Sequence, residues 1–144
     1  MAITTNAIAS SFKKELLEGK HDFTASTGSA FKLAMYNSNA VLGASTTSYT
    51  TGSEVTSPAG YTAGGKALVN TGTSVSSSVA ITTFGNLSFT NVTLTARGAL
   101  IYNTSNSNSA VAVLDFGSDK TATAGTFTIQ FPAYTTSAAI LRIS

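Results

Sequence analysis

Two glycine-containing fragments have the letters of catalytic motifs, and each lacks a part that the chemistry requires. The fragment Gly60–Ala67, GYTAGGKA, has the spacing of a phosphate-binding loop, but Ala67 stands where a Ser or Thr would ligate Mg²⁺. No helix pattern follows it, so no helix dipole would face a phosphate. The triplet Asp115-Phe116-Gly117 spells the metal-binding motif of protein kinases without the partner motifs of that fold. We therefore predict no cofactor.

The titratable residues offer few combinations for catalysis. The single histidine, His21, stands beside Asp22, but no serine is distinguished as its nucleophile, and a surface or interface position is predicted for it. Asp115 and Asp119 flank Gly117 and would meet there, yet too few further oxygen ligands surround them for Ca²⁺. Hydrogen bonding across a turn is the simpler role for this pair. We predict no catalytic residue, no metal site, no small-molecule substrate and no enzymatic activity.

Composition indicates a surface that other proteins cover. Only 10% of the residues are charged, whereas about 25% is usual, and 42% are hydrophobic. This balance disfavours intrinsic disorder, which combines low hydrophobicity with high net charge. The eight Lys and Arg residues are dispersed, so no basic stripe for nucleic acid is present. No apolar run is long enough to span a bilayer, and the first residues lack a secretion signal, so synthesis in a cytoplasm and no membrane contact are expected.

One amphipathic helix is predicted near the start of the chain. In the segment Asn6–Glu18 the apolar residues Ile8, Phe12 and Leu16 recur every four positions, and Gly19 supplies a left-handed stop. A helix of about three turns is too short to be stable alone in water. The apolar stripe must therefore dock, either on its own domain or on a neighbouring subunit.

From residue 23 onward the pattern is that of short strands separated by turns. Without intervening helices, parallel βαβ units are excluded. The prediction is an all-β fold, mainly an antiparallel β-sandwich or barrel-like, with one short N-terminal α-helix, organised as an arm at 1–22 and a single β domain at 23–144. The predicted strands are Phe31–Tyr36, Lys66–Asn70, Val79–Phe84, Leu87–Leu94, Ala99–Tyr102, Ala110–Phe116, Thr126–Phe131 and Ala139–Ile143.

Two parts of the β region differ in character. The strands at 99–102 and 110–114 are apolar on both faces, which predicts a central hairpin through the loop Asn103–Ser109. Turns are predicted at Ser57–Gly60 and at Gly117–Asp119. In contrast, Ala40–Gly65 is long, rich in small polar residues and anchored by few apolar ones, so it is expected to be mobile or to contact a partner.

Several fragments together resemble a family of small virion-associated structural proteins of tailed bacteriophages, especially marine and cyanobacterial ones. The resemblance covers most of the chain. It implies a capsid decoration (cement) protein or, alternatively, a tail, neck or fibre-base component. The fragments are LTARGALIYN at 94–103, AVAVLDFG at 110–117, GTFTIQFP at 125–132, ILRI at 140–143, FKKELLEG at 12–19, FKLA at 31–34 and GYTAGG at 60–65.

The resemblance implies a virion location after synthesis in the host cytoplasm. The implied partners are the major capsid protein, or tail and neck proteins, and copies of the chain itself. Arg97 and Arg142 are either interface anchors or partners of Asp115 or Asp119 in ion pairs. A carbohydrate- or receptor-binding module is a further alternative, disfavoured because Trp is absent. The candidate interface residues are Ile8, Phe12, Leu16, Tyr49, Tyr61, Arg97 and Arg142.

Overall fold

The computed structural model describes residues 3–56 and 60–144, and its strands form two antiparallel sheets. With 47% strand and 6% helix, the predicted all-β, sandwich-like fold with one short helix near the N-terminus is confirmed. One sheet has the strand order β1-β7-β6-β2-β3 and the other β4-β5-β8. The elements are β1 Ala7–Ile8, α1 Ser10–Leu17, β2 Phe31–Tyr36, β3 Lys66–Ala67, β4 Asn70–Ser76, β5 Val79–Phe84, β6 Leu87–Asn103, β7 Ser109–Ile129 and β8 Leu141–Ile143.

The centre of the fold is one long hairpin of β6 and β7, which contain 17 and 21 residues. The predicted hairpin is confirmed, because Asn103 pairs with Ser109 across its loop. The turn predicted at Gly117–Asp119 is wrong. Ala96 pairs with Lys120 and Gly98 with Asp115, so residues 116–119 bulge out of β7 while the strand continues. A bulge adds residues to one strand without ending its hydrogen-bonded pairing with the other. For this reason, two of the predicted strands fall in β6 and two in β7.

The bulge divides the hairpin into two halves. In the covered half, residues 98–103 and 109–115, β2 pairs along β6 and β1 pairs with β7 at residues 112–113. Both faces there are buried. In the open half, residues 87–96 and 120–129, buried and exposed residues alternate except at 90–91 and 123–126, where the pairing register shifts, and exposed threonines occupy the outer face. There, within the described part of the chain, no strand pairs with either outer edge of the hairpin.

The helix is shorter than predicted. It begins at Ser10, because Ala7 and Ile8 form β1, antiparallel to β7, and the Ala9 N–H continues this pairing by donating to the Val111 carbonyl at 3.0 Å. Ile8 therefore does not belong to the helical stripe, and that part of the prediction is wrong. Pairing with β7 gives Ala7 and Ile8 backbone hydrogen bonds, whereas the N–H groups of these residues would have no partner in an uncapped first turn of the helix.

The predicted stop of the helix is confirmed. Gly19 has a φ of +72°, and the Lys20 N–H donates to the Glu15 carbonyl at 3.0 Å, as in a left-handed helix end. Among the described residues no helix is long and apolar enough to cross a membrane.

The segment 40–65 is irregular but packed. Ala40, Leu42, Val55 and Tyr61 belong to the hydrophobic core, so the described part of the segment is an integral cover for β2 and β6. Except for Gly60, the turn predicted at Ser57–Gly60 lies outside the described residues.

The predicted strand Lys66–Asn70 is divided between the two sheets. Lys66 and Ala67 pair with β2 in the five-stranded sheet, whereas Asn70 begins β4 in the three-stranded sheet. The chain crosses from one sheet to the other at Leu68 and Val69, and the Leu68 side chain is buried at this crossing. Leu68 is the one buried residue of this segment, whereas Val69 is 68% exposed. A short apolar run therefore states neither which of its residues are buried nor which sheet each one joins.

Candidate interaction groove

A groove of about 810 Å³ lies along β7, between β1 and the C-terminal segment 130–142. Its volume is within the range of about 300–1,000 Å³ that is usual for ligand sites. β1 and the covered end of β7 form one wall, the open half of β7 forms the floor, and the turn before β8 forms the other wall. The groove is open to solvent.

The floor and walls of the groove are mainly apolar. Leu114, Phe116, Phe131 and Ile140 are half-buried and pack against the hydrophobic core while leaving part of their surface in the groove. The Phe116 ring lies 5.9 Å from the ring of Phe127, centroid to centroid. Each half-buried side chain retains apolar area whose removal from water would contribute about 25 cal/mol per Å².

The charge in the groove has one sign. Lys120 and Arg142 contribute to its lining, and no Asp or Glu does. Arg142 is exposed and held in place because Nη1 donates a hydrogen bond of 2.8 Å to the Ser137 carbonyl. Two cations beside an apolar floor favour a ligand that combines apolar groups with negative charge.

The bulge next to the groove is held by Asp115. Its carboxylate accepts a hydrogen bond of 2.8 Å from the Gly117 N–H and forms an ion pair with Arg97. The Gly117 hydrogen bond, together with Arg97, lowers the pKa of Asp115. The Asp115 N–H donates to Asn6 Oδ1 at 2.6 Å, which attaches the bulge to the N-terminal arm. These contacts fix the backbone on both sides of Phe116.

The two arginines thus have different surroundings. Arg97 forms the internal ion pair with Asp115 that the sequence left open, and Asp115 accepts its hydrogen bond from the Gly117 N–H inside the bulge that stands in place of the predicted turn. Arg142 takes part in none of the ion pairs found among the described residues, and its side chain lines the groove. Of the two, Arg142 is therefore the one available to a partner.

A buried carboxylate holds the segment 40–65 in place. Glu54 is 5% exposed and accepts hydrogen bonds from the hydroxyls of Tyr49 (2.6 Å) and Tyr61 (2.7 Å) and from the Gly64 N–H (2.6 Å). Burial, then the hydrogen bond to Glu54, raises the pKa of both tyrosines. The Tyr49 ring also stacks on Tyr102 at 4.7 Å. Both tyrosines serve as internal anchors of this segment.

His21 is buried, so the surface position predicted for it is wrong. Its Nδ1 lies 2.9 Å from Asn103 Nδ2, which assigns Nδ1 as the acceptor, and its Nε2 lies 3.4 Å from Glu15 Oε2. The ring of Phe12 packs against it at 4.7 Å. Desolvation lowers the pKa of His21 against the opposing effect of Glu15. An aromatic cage and one amide partner favour neutral histidine and form no catalytic arrangement.

The predicted interface residues are distributed between surface and interior. Ile8 and Arg142 line the groove. Phe12 and Tyr61 are buried within the chain and have little surface to offer a partner, and Leu16 is half-buried against the core. The helix thus docks on its own domain in this structure. Tyr49 and Arg97 are half-buried and hydrogen-bonded internally.

Sequence reasoning missed most of the groove. Phe116, Lys120 and Ile140 line it without having been candidates. The available signal was the alternation of Phe127, Ile129 and Phe131, which predicts a strand with one apolar face. The pattern does not state whether that face is fully covered. Comparison of the chain with protein-family models, with curated proteins and with solved structures found no match.

Proposed function

We propose that this chain is a non-enzymatic structural protein of a tailed-phage particle that decorates the outer capsid through repeated protein–protein contacts. The observation that carries the proposal is the half-buried apolar groove along β7, on a protein of which only 10% of the residues are charged. The resemblance of the sequence to virion-associated proteins supplies the setting. The partners are the major capsid protein and further copies of the chain.

The energetics of the surface support such a role. Neutral Ser and Thr side chains lose water at lower cost than Lys or Glu, and partner contact removes the remaining exposed apolar area from water. A single contact of this kind is modest. Repetition at many equivalent positions on a shell turns modest contacts into a stable assembly, because linked contacts add avidity.

Copy number on purified particles tests the proposal. Hundreds of copies per particle, counted by quantitative mass spectrometry and located on the shell by cryo-electron microscopy, are the expected result. A dozen copies or fewer, located at the tail or neck, would contradict a capsid decoration protein and favour the alternative of a tail, neck or fibre-base component. Absence of the chain from purified particles, together with a persistent monomeric state, would overturn the proposal.

A further inference from the structure

We infer that the groove binds an extended, apolar segment of a partner protein that carries acidic side chains, and that this segment adds as a strand to the outer edge of β7. The inference rests on the proposed function only in placing the partner in the particle. Four features of the groove support it: a free edge, a strand already present on that edge, the sign of the charge and the shape.

The outer edge of β7 is available for pairing in the open half. β6 pairs with one side of β7 from Ser109 to Ile129 apart from the bulges, whereas β1 and Ala9 cover the other side only at residues 111–113. Within residues 3–56 and 60–144, no strand pairs with the outer edge of residues 120–129. Unpaired N–H and C=O groups in an extended strand are a template for an incoming strand, as in peptide recognition by strand addition.

The edge already accepts a strand where β1 is present. Ala7 and Ile8 pair with it in antiparallel register, and the groove begins at these same residues. A partner segment in the groove would thus extend an existing strand position along β7. The bulge at 116–119 and the exposed Lys120 separate the two positions. Bulges and edge lysines prevent indiscriminate pairing, which leaves this edge to a partner that complements them.

Charge selects the chemistry of the segment. Lys120 and Arg142 face a groove without carboxylates, because Asp115 is engaged with Arg97 and Asp119 does not contribute to the lining. Carboxylates on the partner would meet two cations, and a basic segment would be repelled by them.

Shape selects an extended segment. Successive side chains of a strand point to opposite faces, so alternate apolar residues would enter the groove between Phe116 and Ile140 while the others face solvent.

The exposed strands of the chain itself fit less well than a partner does. Strands β3 and β8 each carry a cation, Lys66 and Arg142, and β4 is uncharged. None of these three strands supplies a carboxylate, and neither do the open edges of the hairpin at 87–96 and 120–129, so a second copy would not complement the groove by strand pairing. A different protein is the occupant that the charges favour.

Peptide binding to the isolated chain is the first test. Two fluorescent octapeptides of alternating Val and Thr serve as probes, one with an Asp near each end and the other with Lys at the same positions. We expect the acidic probe to bind at least tenfold more tightly at low salt, with a difference that shrinks as salt rises. Protection from hydrogen exchange should appear in residues 120–129. Equal affinity of the two probes, no binding, or protection elsewhere would overturn the inference.

Charge reversal provides the matched variants. Lys120→Glu should abolish the preference for the acidic probe, and Lys120→Glu combined with Arg142→Glu should reverse it. Lys13→Glu makes the same change of charge on the exposed face of α1, away from the groove, and should leave the preference unchanged. If Lys13→Glu lowered the preference as much as Lys120→Glu, net charge alone would explain binding and the groove would have no role.

A cross-linking experiment on particles separates this inference from the proposed function. A photoreactive phenylalanine analogue replaces Phe116 in one version of the chain and Leu17, which is 91% exposed on α1, in the other. Cross-links from position 116 to an acidic, apolar segment of another particle protein are expected. If the chain is present on the particle but forms cross-links only from position 17, the inference about the groove is refuted and the proposed function stands. If the chain is absent from the particle, the proposed function is refuted. The peptide experiment would still test whether the groove binds an acidic, apolar segment.

Discussion

The two halves of the β6–β7 hairpin share strands but differ in what covers them. In the covered half, Ala99, Leu100 and Ile101 have no exposed surface, because β2, the helix and the segment 40–65 enclose it. In the open half, exposed threonines alternate with core residues, and β7 has a free outer edge. The difference shows that one pair of long strands can have two environments: the covered half lies in the core, and the open half leaves an apolar groove exposed to solvent.

The largest effect is expected at two glycines with nearly the same φ, one in the segment that covers the covered half and one in the bulge that borders the open half. Gly65, which closes the cover of β2, has a φ of +79°, and Gly117 in the bulge has a φ of +80°. A Cβ at Gly65 would overlap the Leu33 carbonyl oxygen, whereas a Cβ at Gly117 would meet nothing within 4 Å. Gly65→Ala should cost more than about 4 kcal/mol in the free energy of unfolding, a size reserved for severe core disruption.

Gly117→Ala is the matched control, because it carries only the conformational cost of the left-handed region, about 1–2 kcal/mol. Urea unfolding of both variants measures the two costs. Equal losses of stability would mean that the cover over β2 is not tightly packed, and the distinction between the halves would fail.

Removal of the buried carboxylate should give the next largest effect. Glu54→Ala leaves the Tyr49 and Tyr61 hydroxyls and the Gly64 N–H without their acceptor. Losing hydrogen bonds to a buried charged group and leaving their donors unpaired should cost about 3–4 kcal/mol. The segment 40–65 should also become sensitive to limited proteolysis.

Glu18→Ala removes a carboxylate whose pairs with Lys14 and Lys20 are exposed, so its melting temperature should stay close to that of the wild type. If Glu54→Ala were as stable as Glu18→Ala, the segment 40–65 would owe its position to apolar packing alone.

The smallest effect concerns pH and the covered half. Because burial holds the pKa of His21 below its ordinary value, protons bind the unfolded chain more readily than the folded one. The stabilisation is fully present above about pH 6.5, the unfolded pKa of histidine, and is lost as pH falls towards the folded pKa. Glu15 and Lys20, the charged neighbours that affect His21, oppose each other, since Glu15 raises and Lys20 lowers its pKa.

Chemical denaturation between pH 7 and pH 5 measures this dependence. In His21→Gln, which keeps an acceptor for Asn103, the decline over this range should be shallower than in the wild type. Asp115 and Glu18, whose pKa values are lowered, contribute only at more acidic pH. An unchanged slope in the variant would show that His21 does not sense pH in the folded protein.

Local patterns predicted the parts of the fold that depend on neighbours in sequence. Alternation located β2 at 31–36 and β5 at 79–84, and a glycine after an amphipathic run located the end of the helix. The start of the helix was not predictable in this way. Ala7 and Ile8 have a nearby strand edge to pair with, and that edge belongs to residues more than 100 positions away.

The same limit applies to the site. The apolar residues of the strand at 126–131 were recognisable, but their exposure along a groove depends on where the segment 130–142 lies. His21 carries no local sign of burial, because its hydrogen-bond partner Asn103 lies 82 positions away. The partners of Glu54 lie within ten positions of it, but its burial depends on the bridge that pairs it with Tyr36 of β2.

Composition and periodicities of two and about four residues were enough to predict an all-β chain with few charges, one short helix and a central apolar hairpin. Which half of the hairpin is covered, where the groove lies and that Lys120 and Arg142 both line it depend on the tertiary structure. Covering a strand requires contacts between residues far apart in the chain, and residue order along a segment does not encode their distances.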